Sequence, residues 1–74
     1  AAAYLGQTMV GFARFCEGHY YGFKMDKEMS CSSYRLSFEA LASIGDPVPA
    51  STTFAEHITS ARKILNHYFA EECS

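Results

Sequence analysis

The sequence has few basic residues and no long apolar run. It contains six Lys and Arg against eight Asp and Glu, and apart from the pair Arg62-Lys63 the basic residues are scattered singly. Proteins that bind nucleic acids usually carry a basic stripe that contacts phosphates, so we do not expect a nucleic-acid partner. A membrane-spanning helix needs about 20 predominantly apolar residues, and charged residues interrupt every apolar stretch well before that length. We therefore expect no transmembrane segment.

Sequence motifs of common enzymes are also missing. The chain has no glycine-rich phosphate loop, no CxxC pair and no Ser, His and Asp signature. Zinc could in principle use Cys16, His19, His57, His67 and Cys73. Their spacing does not form the two tight ligand pairs of a zinc site. Cys16 activated by His19 is disfavoured as a nucleophile, because Cys16 falls in mid-helix among aromatic residues. We expect no catalytic residue, metal or cofactor.

The composition that remains is typical of a folded domain. Of 74 residues, 49% are hydrophobic and 15% aromatic, which is enough to form one core. A chain of this length is too short for a second domain. The sequence therefore predicts a single domain over residues 1–74. A core of this size supplies only about 3 to 5 kcal/mol net, so a disulfide, a metal or a partner is expected to add stability.

Apolar residues recur at the period of an α-helix in three segments. The first helix is predicted over residues 4–25, with an apolar stripe formed by Leu5, Met9, Phe12, Cys16, Tyr20 and Phe23. The second is predicted over 33–44, after a polar break at 26–33 in which Ser30, Ser32 and Ser33 are candidate N-caps. We expect its apolar stripe, like that of the first helix, to face the core.

A third helix is predicted over residues 54–72. Thr53 and Glu56 have the spacing of a capping box, and the preceding segment 45–52 contains Gly45 and both prolines, which end helices. No segment alternates long enough to predict a strand. Short connections favour antiparallel neighbours, so the fold class is all-α, a small three-helix up-down-up bundle.

Three cysteines can be placed in this bundle. Cys31 at the start of the second helix and Cys73 at the end of the third should lie at the same end, and a bridge between them would contribute about 4 kcal/mol by loop closure. Cys16 would then be a reduced apolar filler in the first helix. The competing pairing joins Cys16 to Cys73.

Glycines form a stripe along the first helix. Gly11, Gly18 and Gly22, the glycine stripe, recur at intervals of seven and four, with Phe15 between them. Such a groove admits a close neighbour, which is either another helix of the same bundle or a partner. Together with Tyr21 these residues extend the apolar arc beyond the core stripe, and large exposed apolar patches usually mark interaction sites. The sequence thus predicts a protein partner or a homodimer through the first helix, at Gly11, Phe15, Gly18, Tyr21 and Gly22.

Cysteine content also indicates a compartment. Disulfides persist mainly in secreted and periplasmic proteins, and small domains there depend on them. The opening run Ala1-Ala2-Ala3 resembles the small-residue flank left by signal-peptide cleavage. We expect a periplasmic or secreted protein.

Two sequence segments resemble a known family. The run Cys16-Glu-Gly-His-Tyr-Tyr-Gly22 on a first helix, a middle cysteine, and a last helix ending Ile64-Leu-Asn-His-Tyr-Phe-Ala-Glu-Glu-Cys73 are similar to the small periplasmic immunity proteins of type VI secretion, the Tai group. The resemblance implies an exported helical protein that binds a neighbouring cell's toxin, typically a cell-wall amidase, and blocks its active site.

The sequence therefore predicts a non-enzymatic, exported protein-binding module, of the kind to which immunity proteins belong. Two alternatives stay open. Three histidines and a single disulfide would suit a periplasmic acid-stress chaperone that exposes its aromatic residues at low pH. A small structural subunit of a larger envelope or extracellular complex would have the same composition.

Overall fold

Three helices make up the fold. The computed structural model describes residues 5–45, 48–52 and 54–73. The helices are α1 (Leu5–Phe23), α2 (Lys27–Ala42) and α3 (Ala55–Glu72), and the described segments contain no strand. The predicted all-α up-down-up bundle is confirmed.

The turn between α1 and α2 is tight. Met25 adopts the left-handed conformation with φ of 61°. Its N–H donates to the Gly22 carbonyl, and the Asp26 N–H donates to the Tyr21 carbonyl, at 3.0 and 2.9 Å. This pair of bonds is the Schellman pattern, which closes a helix C-terminus and usually places glycine where Met25 lies. α1 thus ends at Phe23, two residues before the predicted end.

α2 begins earlier than predicted. The Asp26 side chain accepts a hydrogen bond from the Met29 N–H at 3.1 Å and caps the helix N-terminus. Glu28 in the first turn adds a favourable charge near the helix dipole. The prediction of a polar break over 26–33 is therefore wrong: most of that segment is the first part of α2, because aspartate is as good an N-cap as the serines that follow it.

α3 runs close to its predicted bounds. Phe54 precedes it in a left-handed conformation with φ of 62° and makes no side-chain cap. The predicted capping box depends on Thr53, which lies outside the described residues.

α1 packs on α2 through small residues. Gly11 and Gly18 are buried, and a Cβ on either would come within 2.6 Å of a side chain of α2, that of Leu41 or Tyr34. Glycine at these two positions leaves room for the side chains of α2 against the backbone of α1, and the separation of packed helices depends on the side chains between them.

Buried serines of α2 complete this contact. Ser37 Oγ donates to the Gly11 carbonyl at 2.6 Å, and Ser30 Oγ donates to the Gly18 carbonyl at 2.9 Å. Ser33, also buried, donates to Glu17 Oε1 at 3.1 Å. Two of the predicted cap serines therefore hold α1 against α2 instead.

The apolar core is formed largely by α2 and α3. Its buried members are Tyr34, Leu41, Ile44, Ile58, Ala61 and Leu65. Among the described residues of α1, those that are buried are Thr8, Gly11 and Gly18, so α1 contributes no large apolar side chain to this set. Phe12 and Phe15 of α1 pack against its edge and are only half-buried.

A disulfide joins Cys31 to Cys73, with the Cα atoms 5.1 Å apart. The predicted pairing is confirmed and the competing bridge to Cys16 is wrong, because α3 continues to Glu72 and brings Cys73 to the start of α2. Cys16 is free, as predicted, but it is exposed instead of buried among aromatic side chains.

Candidate partner-binding surface

The large apolar side chains of α1 point mostly to solvent. We call the stripe formed by Leu5, Met9, Phe12, Cys16, Tyr20 and Phe23 the outer α1 face. Sequence analysis places this stripe in the core, yet Met9 is 64% exposed, Tyr20 57% and Phe23 88%. The predicted orientation of α1 is wrong, and the helix is turned so that its small residues meet α2.

Close backbone packing explains this orientation. Both stripes of α1 repeat at the helical period, so periodicity alone does not decide which one is inside. The glycine stripe lets the helices approach closely enough for Ser30 and Ser37 to reach carbonyls of α1. Large side chains on that face would block both hydrogen bonds.

The three glycines among the five predicted partner-binding residues face α2 of the same chain. Gly11 and Gly18 are covered by Leu41 and Tyr34 of α2. Gly22 is half-buried, and a Cβ there would lie 3.4 Å from Ser30 Oγ. The groove is thus filled within the bundle, which is the alternative that the sequence leaves open, and a partner does not reach Gly11 or Gly18 in this fold.

Phe15 and Tyr21, the other two predicted partner-binding residues, are half-buried. Phe15 is half-buried, and its ring centroid is 5.9 Å from that of Tyr34 and 6.1 Å from that of Tyr68. It therefore joins α1 to both other helices. Tyr21 is half-buried beside Tyr20, with ring centroids 5.3 Å apart.

An aromatic cluster lies where the three helices meet. Tyr34 and Tyr68 are stacked, with centroids 4.9 Å apart and planes 7° from parallel. The His19 ring stands edge-on to Tyr68 at 5.0 Å, and the Tyr34 hydroxyl is 3.1 Å from His19 Nδ1. Burial, with smaller effects of Tyr68 and Glu72, raises the pKa of Tyr34 to about 12. Tyr34 is therefore neutral at physiological pH, and its hydroxyl can donate to His19 Nδ1 in the tautomer that carries its hydrogen on Nε2.

An open apolar cleft lies between α1 and α3. We call this feature, of about 580 Å³, the α1–α3 cleft; it is lined by Phe12, Phe15, Glu56, His57, Ser60, Ala61 and Ile64. Phe12 and Phe15 form the α1 wall, and Ala61 with Ile64 forms the apolar part of the α3 wall. Glu56, His57 and Ser60 supply polar groups toward the start of α3. The cleft is not evident from the sequence, which predicts a binding role only for Phe15 among these residues, because its two walls lie more than 40 positions apart in the chain.

The candidate zinc ligands have other roles or positions. Cys73 is in the disulfide, the His19 ring contacts Tyr34, and His67 Nε2 lies 3.1 Å from Glu71 Oε1. Within the described residues there is no group of three or more His, Cys, Asp or Glu that could hold a metal ion.

In the described part, no helix combines the length and the apolar character that crossing a bilayer requires. Comparison with protein-family models, with curated proteins and with solved structures finds no match to this chain.

Proposed function

We propose that this chain is a non-enzymatic, exported protein-binding module that takes an apolar segment of a partner protein into the α1–α3 cleft. The cleft carries this proposal. It is apolar at Phe12, Phe15, Ala61 and Ile64 and polar at one end, and ligand-binding clefts typically combine apolar walls with a few polar groups that fix orientation.

The partner surface that fits is an amphipathic helix or loop. A large apolar side chain would enter between Phe15 and Ile64, in the manner of a hot-spot residue filling a pocket. A donor beside it, such as Lys, Arg or a hydroxyl group, would pair with Glu56 at the polar end. The cleft needs no rearrangement of the core to receive such a group.

Within this class we propose an immunity protein that neutralises a secreted toxin. The similarity of segments 16–22 and 64–73 to the Tai group supports this narrower proposal, and so does the Cys31–Cys73 disulfide, which suits an oxidising compartment. The toxin expected from that similarity is a cell-wall amidase.

Site-specific photo-crosslinking tests the cleft. A photoreactive amino acid replaces Ile64, which is 45% exposed on the cleft wall, and in a matched variant it replaces Asn66, an exposed residue on the opposite side of α3. Expressed in cells of the native source, the Ile64 variant should give one dominant adduct and the Asn66 variant none. No adduct at Ile64, or the same adducts at both positions, would contradict a partner in the cleft.

Binding and inhibition assays then use the captured protein. Ile64→Glu should weaken its affinity at least about tenfold by placing a charge against an apolar group, whereas Asn66→Glu should leave it unchanged. For an immunity protein, the captured protein degrades peptidoglycan and the wild-type chain stops that reaction. A captured partner without such activity would exclude the toxin-neutralising role while leaving the binding module intact.

A further inference from the structure

The outer α1 face has an internal symmetry centred on Cys16. Phe12 and Tyr20 lie four residues to either side of Cys16, and Met9 and Phe23 lie seven residues to either side. At 1.5 Å per residue these side chains are about 6 and about 10 Å from Cys16 along the helix. Between Met9 and Phe23 the face therefore has the same spacing when read from either end of α1, and Leu5 lies outside this symmetric part.

This symmetry matches the requirement of a two-fold interface. In such an interface the same patch of both copies must be complementary to itself. If two α1 helices meet antiparallel with Cys16 on the axis, Met9 of one copy lies level with Phe23 of the other, and Phe12 lies level with Tyr20. These two levels then pair apolar groups, and methionine against an aromatic ring is a favourable contact. Leu5 extends past the end of the partner's α1.

Charge does not oppose this contact. None of the six residues of the outer α1 face carries a formal charge. The charged pair Arg14 and Glu17 is engaged on a different side of α1, where the two side chains are 3.0 Å apart and Ser33 of α2 contacts Glu17. The Lys24 ammonium is 5.6 Å from the Tyr20 ring centroid, at the side of this uncharged stripe, where its long side chain can keep the charge in solvent when a second copy binds.

The exposed area suffices for a small interface. Leu5, Met9, Tyr20 and Phe23 are 40%, 64%, 57% and 88% exposed. At about 200 Å² for each large side chain, these four residues alone expose about 500 Å² per chain. Contact that covered all of this area in both copies would bury at most about 1,000 Å² in total, which is at the threshold for a specific protein interface.

We infer that the partner of the outer α1 face is a second copy of this chain, bound as an antiparallel two-fold dimer with the two Cys16 thiols facing each other at the axis. The dimer goes beyond the proposed cleft function and does not depend on it. Met9 and Tyr20 do not line the α1–α3 cleft, so variants at these positions test the dimer separately.

Oxidative crosslinking gives the first test, with the full disulfide-bonded chain. Diamide joins two thiols into one disulfide and takes up the two electrons and two protons released. Wild-type protein should form a Cys16-linked dimer at least about tenfold faster than a Cys16→Ser, Asn66→Cys double variant, because facing thiols react at a high effective concentration. Equal rates for the two proteins would overturn the proposed axis.

Mass measurement over a concentration series gives the second test. Sedimentation between about 1 and 200 µM should show the 8.2 kDa chain shifting to twice its mass, in wild type and in Cys16→Ser. Met9→Glu and Tyr20→Glu should each raise the dimer dissociation constant at least about tenfold, because the two-fold axis places each charge in the interface twice. Asn66→Glu is the matched control and should dimerise like wild type.

Circular dichroism should show that these variants keep the helical fold, because Met9 and Tyr20 are exposed. A wild-type chain that stays monomeric at about 200 µM, or a dimer that Met9→Glu and Tyr20→Glu leave unchanged, would overturn the inference. Loss of cleft crosslinking at Ile64 with the dimer intact would instead count against the proposed function alone.

Discussion

The ring of Tyr34 occupies the space that a side chain at Gly18 would need. A Cβ built on Gly18 would lie 2.5 Å from Cδ1 and Cε1 of Tyr34, and Tyr34 is only 2% exposed. The ring is also stacked on Tyr68, which limits how far it can move. The conformation of α1 would tolerate alanine at this position, but the packing between α1 and α2 would not.

We therefore expect Gly18→Ala to lower the free energy of unfolding by about 1 to 3 kcal/mol, the usual cost of forcing extra atoms into a packed contact. Urea titration followed by circular dichroism measures this. Gly6→Ala is the control, because nothing lies within 4 Å of a Cβ at Gly6. There the better helix propensity of alanine should stabilise the fold by up to about 1 kcal/mol. A similar gain at both positions would mean that Tyr34 does not fill the glycine groove.

Loss of the disulfide should remove a large share of the stability. The bridge closes a loop with a sequence separation of 42, for which chain entropy predicts about 4 kcal/mol. We expect the double variant Cys31→Ser, Cys73→Ser to be largely unfolded or to melt far below wild type in differential scanning calorimetry. Cys16→Ser, which changes the exposed free cysteine, should melt within a degree or two of wild type.

The hydroxyl group of Ser37 should contribute measurably to the free energy of unfolding, although serine is a poor helix former. It is buried and donates to the Gly11 carbonyl at 2.6 Å. Ser37→Ala loses this bond and should cost about 1 kcal/mol in urea titration, after partial compensation by helix propensity. Ser32→Ala, at an exposed position of the same helix, should be neutral or slightly stabilising. A gain at Ser37 as large as that at Ser32 would argue against the interhelical bond.

Alkaline pH should weaken the fold through Tyr34. Because its folded pKa of about 12 exceeds the ordinary value of 10.0, the unfolded chain loses this proton first. The contribution of Tyr34 is therefore complete below pH 10 and is lost as the pH rises from about 10 to about 12, by at most about 3 kcal/mol.

Urea titrations of wild type and Tyr34→Phe at about pH 9 and about pH 11 measure this effect. The phenylalanine variant lacks the ionisable hydroxyl, so its stability should fall less over this interval, while all other ionisable groups are the same in both proteins. Parallel losses in the two proteins would show that Tyr34 is not responsible.

Element positions were largely accessible from the sequence. The periods of α1 and α3 follow from local pattern, and bundle geometry favours the pairing of Cys31 with Cys73 over that of Cys16 with Cys73. The structure confirms both predictions. The start of α2 could not be predicted from the sequence, because serine is favoured both at an N-cap and wherever a small donor must fit between helices. Only the contact of Ser30 and Ser37 with carbonyls of α1 separates these roles.

The orientation of α1 could not be predicted from hydrophobicity. Pattern reasoning places the largest apolar residues inside, whereas here Gly11 and Gly18 are inside and Met9 and Phe23 outside. The energy of close backbone contact depends on what the neighbouring helix offers, and the sequence of α1 does not contain that information. The α1–α3 cleft depends on the same orientation, so it too could be recognised only in the folded chain.

The disulfide would hold the chain together after proteolytic cleavage between α2 and α3. The segment between α2 and α3 lies inside the loop that Cys31 and Cys73 close. Hydrolysis of one peptide bond there would yield two polypeptides that stay covalently attached, with a mass one water greater than the parent. Such a nicked molecule would separate into fragments on a gel only after a reductant is added.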